Sequence, residues 1–314
     1  MNQNLFKSLQ KPIMVDINGS IDDFVSLILL LSLPEYRIAG ITINAGKSFL
    51  DEACDITLRI LSLFCRHDIM VAKGNGETKN PLCEELCSKS IRLVDIKRLN
   101  KQTPNYNQVS KIEVTDFIAQ KINEEKEKVK IVMTGPAVSL NNTIEKHPDI
   151  KDKIEKVIWA GGAFMTDGNV IAPDHDGSAE WNFYCNPEAA QNLLKTGIPI
   201  IIFPLDITNH LPIDNYLIYH LDQNKKKKLS KLVLKILEPE YEAKKSVSLK
   251  GVVAAIYLAH PDYFQFESKL IGVEQRGTSM GNIFKTSLGS KIKYASFIDD
   301  ESCYEFIIEQ FRQF

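Results

Sequence analysis

The chain has 314 residues, 44% hydrophobic and 25% charged, with only 16 Gly and 13 Pro. That composition supports one large apolar core and excludes a disordered, low-complexity or collagen-like chain. Lys and Arg total 38 against 40 Asp and Glu, a formal charge of -2, so no bulk basic field exists to condense on nucleic acid or anionic lipid, and only local patches remain.

Up to Asp16 no apolar run is long enough for the core of an export signal. A first strand is expected over Ile13 to Asp16, then a helix over Asp22 to Leu33. The apolar block from Phe24 to Leu33 falls well short of the roughly 20 residues that span a bilayer and predicts a buried helix. Further β-branched runs at Ile38 to Ile43, Ile69 to Ala72, Lys130 to Met133, Lys156 to Ala160 and Ile198 to Phe203 predict strands. Helical periodicity lies between them at Phe49 to Cys65, Val114 to Glu127 and Pro187 to Thr196. The alternation predicts an α/β fold, a mostly parallel open sheet covered by helices on both faces, because strands apolar at every position need cover on both sides. Asn75 to Gln108 is polar and reads as a surface excursion. Asp214 to Lys250 reads as helical, with Lys225 to Lys228 as a solvated helix face. No internal repeat is visible, and residues 1–314 are expected to form one domain. Six cysteines without a CxxC pair predict reduced thiols and a cytoplasmic protein. Cys83 and Cys87 are spaced to share a helix face but lack the partners of a zinc site.

In such a sheet, ligand chemistry gathers at the carboxyl ends of the strands. There the sequence reads Asp16-Ile17-Asn18-Gly19-Ser20-Ile21-Asp22-Asp23. A helix cap explains one of these carboxylates, not three. Mutually repulsive carboxylates call for a cation, a ribose diol or shared protons. A second polar cluster follows the strand ending at Ala160: Gly161-Gly162, Gly168-Asn169 and Glu180-Trp181-Asn182. It supplies donors and acceptors for sugar hydroxyls beside an aromatic face at Trp181. His175, between Asn169 and Glu180, reads as part of a lengthened loop.

These motifs, with Gly40-Ile41-Thr42 and Asn186-Pro187-Glu188-Ala189-Ala190 in the same order, resemble the inosine-uridine preferring nucleoside hydrolase family from nearly end to end. The resemblance implies cleavage of a ribonucleoside N-glycosidic bond by water, with calcium holding the ribose hydroxyls and the water. It also implies a homo-oligomer, with no nucleic acid or membrane partner. By position, Asp22 would bind the ribose diol together with Asn169, Glu180 and Asn182, while Asp23 and the Val138 backbone carbonyl would bind calcium if it is retained.

Four positions depart from the family pattern. Asn18 stands at the general-base position, where an amide cannot accept the proton, which leaves Asp16 as a possible substitute. Its other reading is a buried, hydrogen-bonded brace. Lys47 replaces a family Asn, and Lys250-Gly251 replaces a His-Asp pair of leaving-group contact and metal ligand. The two lysines can stand in for the cation or meet the leaving group, so calcium is expected to be lost or weakly held. Two functions remain open: a ribonucleoside hydrolase with altered water activation, and a non-catalytic protein binding a nucleoside, nucleotide or ADP-ribose-like ligand.

Overall fold

A computed structural model describes residues 10–44, 49–75, 78–80, 92–243 and 247–313. Strands β1 (Lys11–Ile17), β2 (Tyr36–Ile43), β3 (Val71–Lys73), β4 (Val129–Met133), β5 (Ile154–Ala160) and β6 (Ile200–Phe203) pair in parallel. Strand β9 (Ser290–Ile298) continues that direction beside β6, and β7 (Phe264–Val273) and β8 (Ile283–Lys285) complete the sheet through antiparallel pairings. The order is β3-β2-β1-β4-β5-β6-β9-β7-β8. The mostly parallel sheet expected from the apolar runs is therefore present, extended by an antiparallel edge.

Helices cover both faces, and the period of two in a strand sorts the residues between them. Ile13, Val15 and Ile17 of β1 enter one core and Met14 the other; Val132 of β4 enters the first, and Ile131 and Met133 the second. The first core also holds α1 (Ile21–Leu31), α2 (Leu50–Leu63), α9 (Asn215–Gln223), α10 (Lys228–Glu242), α11 (Lys250–Ala259) and α12 (Asp300–Arg312). The second holds α4 (Val114–Glu124), α5 (Val138–Lys146) and α7 (Pro187–Leu194). Between α2 and α4 the described part of the polar excursion includes a short helical turn, α3 (Lys97–Asn100); α6 (Trp181–Cys185) and α8 (Leu205–Thr208) are also short.

The apolar block around Phe24 is buried in α1, as its composition requires. Among the described residues no helix is long and apolar enough to cross a membrane. Lys225 to Lys227 lie in the turn between α9 and α10, and only Lys228 is helical, so the expected helix face is mostly an exposed turn. Cys83 and Cys87 lie outside the described residues. Cys54, Cys65 and Cys303 are free thiols.

Candidate active site

The loop after β1 reverses at Gly19, whose φ of 85° would strain an L side chain. It delivers the chain into α1, with Ser20 as N-cap. The backbone N–H groups of Asn18 and Ser20 both donate to Asp23 Oδ2, at 3.0 and 3.1 Å. Asp23 thus closes the helix start from the first turn, where the dipole favours negative charge. The Ser20 hydroxyl donates to Asp22 Oδ1 at 2.6 Å, and Asp22 Oδ2 accepts the Gly251 N–H at 3.0 Å. One carboxylate therefore ties the start of α1 to the start of α11.

Asp16 is used differently. Its Oδ2 accepts from the Thr42 hydroxyl at 2.8 Å and the Asn44 amide at 2.6 Å, both from the β2 end, while its buried Oδ1 has no partner. Desolvation pushes the Asp16 carboxyl up to about 7 against the pull of those two donors. Burial, and then the charge of Asp22, push Asp23 up to about 7 as well, opposed by hydrogen bonds from Thr134 and Ser20. Proton uptake by Asp16 and Asp23 toward neutral pH is one of the three ways in which repulsion within the cluster can be relieved.

Asn18 is matched to its place as an amide. Its Oδ1 accepts the Ser20 N–H at 3.0 Å and its Nδ2 donates to the Thr134 carbonyl at 3.3 Å. A carboxylate here would set an oxygen against that carbonyl instead of a donor.

The second polar cluster converges on the same carbonyl. Asn182 donates both amide hydrogens, to Thr134 O at 2.9 Å and Ala160 O at 2.8 Å, and its Oδ1 is buried without a donor. Glu180, buried at the head of α6, accepts the Gly162 and Asn182 N–H groups on Oε2 at 3.0 and 2.9 Å. A Cβ on Gly161 would lie 3.1 Å from that oxygen, which favours glycine there. Burial raises the Glu180 pKa, and the positive charge of Lys250 acts against it. Lys250 is half-buried at the first position of α11.

Asn169 accepts the Trp181 N–H on Oδ1 at 3.0 Å, which ties the 169 loop to α6. Trp181 itself is buried with Val170, Ala179 and Cys185, so its ring is used in packing and does not present the open aromatic face expected. His175 accepts the Gly177 N–H on Nδ1 at 2.9 Å and reaches the Met280 carbonyl through Nε2 at 2.9 Å; this neutral tautomer braces the loop. Val138 is buried at the start of α5. Lys47 lies outside the described residues.

Sequence reasoning missed Thr134 and Asn44. Thr134 joins the two polar clusters through its carbonyl, and its hydroxyl donates to Asp16 O at 3.2 Å. Asn44 relays Asp16 to the Ser139 hydroxyl at the start of α5. Both directly follow a strand, a position that marked them as candidates.

The donor set does not fit calcium, which takes six to eight oxygens. Both Asp22 oxygens and Asp23 Oδ2 already accept protein hydrogen bonds, and Gly251 presents an N–H to the acid pair where an acceptor would be needed. Among the described residues no group of three or more His, Cys, Asp or Glu is placed to hold a metal.

The family model described as inosine-uridine preferring nucleoside hydrolase matches residues 13–305. A pyrimidine-specific ribonucleoside hydrolase RihA of Salmonella paratyphi B is 29% identical over 277 residues, covering 85% of each chain. The RihA of Shewanella oneidensis is 32% identical over 203 residues, 64% of this chain and 61% of that one. The solved inosine-uridine preferring nucleoside hydrolase of Bacillus anthracis superposes with a TM-score of 0.89 at 24% identity, over 97% of this chain and 100% of that one. A purine-preferring ribonucleoside hydrolase of Gardnerella vaginalis gives 0.80 at 20% identity, over 96% and 98%.

Proposed function

The chain belongs to the inosine-uridine preferring nucleoside hydrolase family, hydrolases of N-glycosyl bonds that generally use calcium, and from that premise we propose that it cleaves ribonucleosides with a rebuilt means of water activation. The observation that carries the reading is Asn182 Oδ1, a buried acceptor without a donor although both amide hydrogens of the same side chain are bonded. Such an orphan is costly, and a ribose hydroxyl would satisfy it. Asp22, Asn169 and Glu180 are the other proposed ribose contacts.

The transition state develops positive charge on the ribose, and the Asp22, Asp23 and Glu180 carboxylates stabilise it electrostatically. Asn18 cannot take the water proton. Asp16 is committed to the β2 end through Thr42 and Asn44. Asp23, with a pKa near the working pH, is therefore the proposed base. Water adds to the anomeric carbon as its proton passes to Asp23, and the C–N bond pair departs with the nucleobase, which Lys250 protonates. Lys250 also offsets the charge of Glu180.

A base must be deprotonated to act, so turnover is expected to rise with pH through about 7 and level off above it. Asp23→Asn is expected to abolish nucleobase release from uridine and inosine while ligand still binds, and Asp16→Asn to leave turnover measurable. The opposite ranking would move the base to Asp16. The hydrogen bonds of Asn18 to Ser20 and Thr134 also favour a second reading, a nucleoside or ADP-ribose-like binding protein without turnover, and absence of nucleobase release from a ligand-binding sample would select it. The proposal extends to a cytoplasmic location, supported by the free thiols of Cys54, Cys65 and Cys303.

A further inference from the structure

A cavity of 670 Å³ opens between the segment Arg92–Lys101 and helix α10. That volume is within the range of small-molecule sites. None of its lining residues belongs to the site above. Among the described residues its apolar surface comes from Leu93, Ile96, Leu232 and Pro239, and its charged groups are six cations, Arg92, Lys97, Arg98, Lys101, Lys231 and Lys235, against the carboxylate of Asp95. Two of the cations are neutralised by neighbours: Arg92 pairs with Glu240, and Lys235 with Glu238. No ion pair involves Lys97, Arg98, Lys101 or Lys231 among the described residues.

Like charges crowded around an apolar hollow repel one another, and among the described residues only Asp95 and the two ion pairs offset that cost. A second, independent observation points to a ligand. The Nε atoms of Arg92 and Arg98 are buried without an acceptor, although a buried guanidinium N–H ordinarily has one. An anion placed in the cavity would supply the acceptors and the countercharge together. Guanidinium forks match phosphate oxygens in geometry, and lysines add point charge.

We infer that this cavity is a second binding site, separate from the ribose-binding cluster, for a polyphosphate group, carried either by a nucleotide or by inorganic polyphosphate. The aliphatic surface beside the cations gives the nucleotide a seat for its base that the inorganic anion does not use. This inference stands independently of the proposed hydrolysis.

Calorimetry of the full chain with ADP and with inorganic tripolyphosphate, at two salt concentrations, tests it. One equivalent is expected to bind per chain, more weakly at higher salt. Arg98→Gln with Lys231→Gln is expected to lower affinity at least tenfold. The exposed substitution Lys101→Glu, which carries little risk to folding, is expected to act in the same direction, and excess uridine is expected not to displace the ligand. Tighter binding of ADP than of tripolyphosphate identifies a nucleotide site, and equal binding a site for polyphosphate itself. Absence of binding by both probes, affinity unchanged in the variants, or displacement by uridine would overturn the inference.

Discussion

Asn182 is the residue on which ribose recognition turns. Its two amide hydrogens hold the ends of β4 and β5 at a fixed spacing, and the same geometry leaves Oδ1 aimed at no protein donor. Asn182→Ala is expected to weaken nucleoside binding by about 1 to 3 kcal/mol, the worth of a buried hydrogen bond and the desolvation attached to it. Calorimetry with uridine and inosine would register the loss, and unchanged affinity would remove Asn182 from the site. At this scale the sequence revealed residue types and little of their use. Asp22, Asp23, Glu180 and Asn182 could be singled out because polar clusters at strand ends stand out against apolar strands. The division of labour among the three aspartates could not, because it depends on partners as distant in sequence as Thr42, Thr134 and Gly251. Trp181 was misread because an aromatic beside polar residues has the same local sequence whether it faces a ligand or a small core.

At the scale of elements, the site is a junction of two helix starts. The N-terminus of α11 presents the Gly251 N–H to Asp22 and the charge of Lys250 to Glu180. A Cβ on Gly251 would stand 3.1 Å from Thr134 Cγ2 and 3.3 Å from Asp23 Oδ1, so a side chain here requires its neighbours to yield by a few tenths of an ångström. Asn18→Asp alone adds a carboxylate facing the Thr134 carbonyl, without a cation to offset it, and is expected to give no calcium-dependent turnover. Asn18→Asp, Lys47→Asn, Lys250→His and Gly251→Asp together restore the family pattern and are expected to create calcium-dependent nucleobase release. Calcium dependence in the single variant would show that Asn18 by itself is what excludes the metal. The parallel strands were legible as elements because their apolarity is continuous. The β7 to β9 edge was not, since β7 carries exposed polar residues such as Gln265, Glu267 and Ser268 in its first half, and its full burial is confined to Phe264 and the strand's last three residues, Ile271 to Val273.

Across the whole molecule, a near-neutral chain builds a sheet with two separate cores and gathers the buried carboxyls of Asp16, Asp23 and Glu180 at the carboxyl ends of β1, β4 and β5. Composition and motif order were enough to indicate this architecture and the family that uses it. They could not show how the buried carboxylates are satisfied, because that depends on which N–H groups the folded backbone turns toward them. In this fold Asp22 and Asp23 accept protein hydrogen bonds, burial raises the pKa of Asp23, and the charge of Lys250 acts on Glu180; in the proposed reading these take the place of a divalent ion. The most direct test is nucleobase release from uridine and inosine by the purified protein, measured after exhaustive chelation with EDTA and again with added calcium. Release that persists under EDTA at an unchanged rate is the predicted result. Release that is abolished by EDTA and restored by calcium would contradict it.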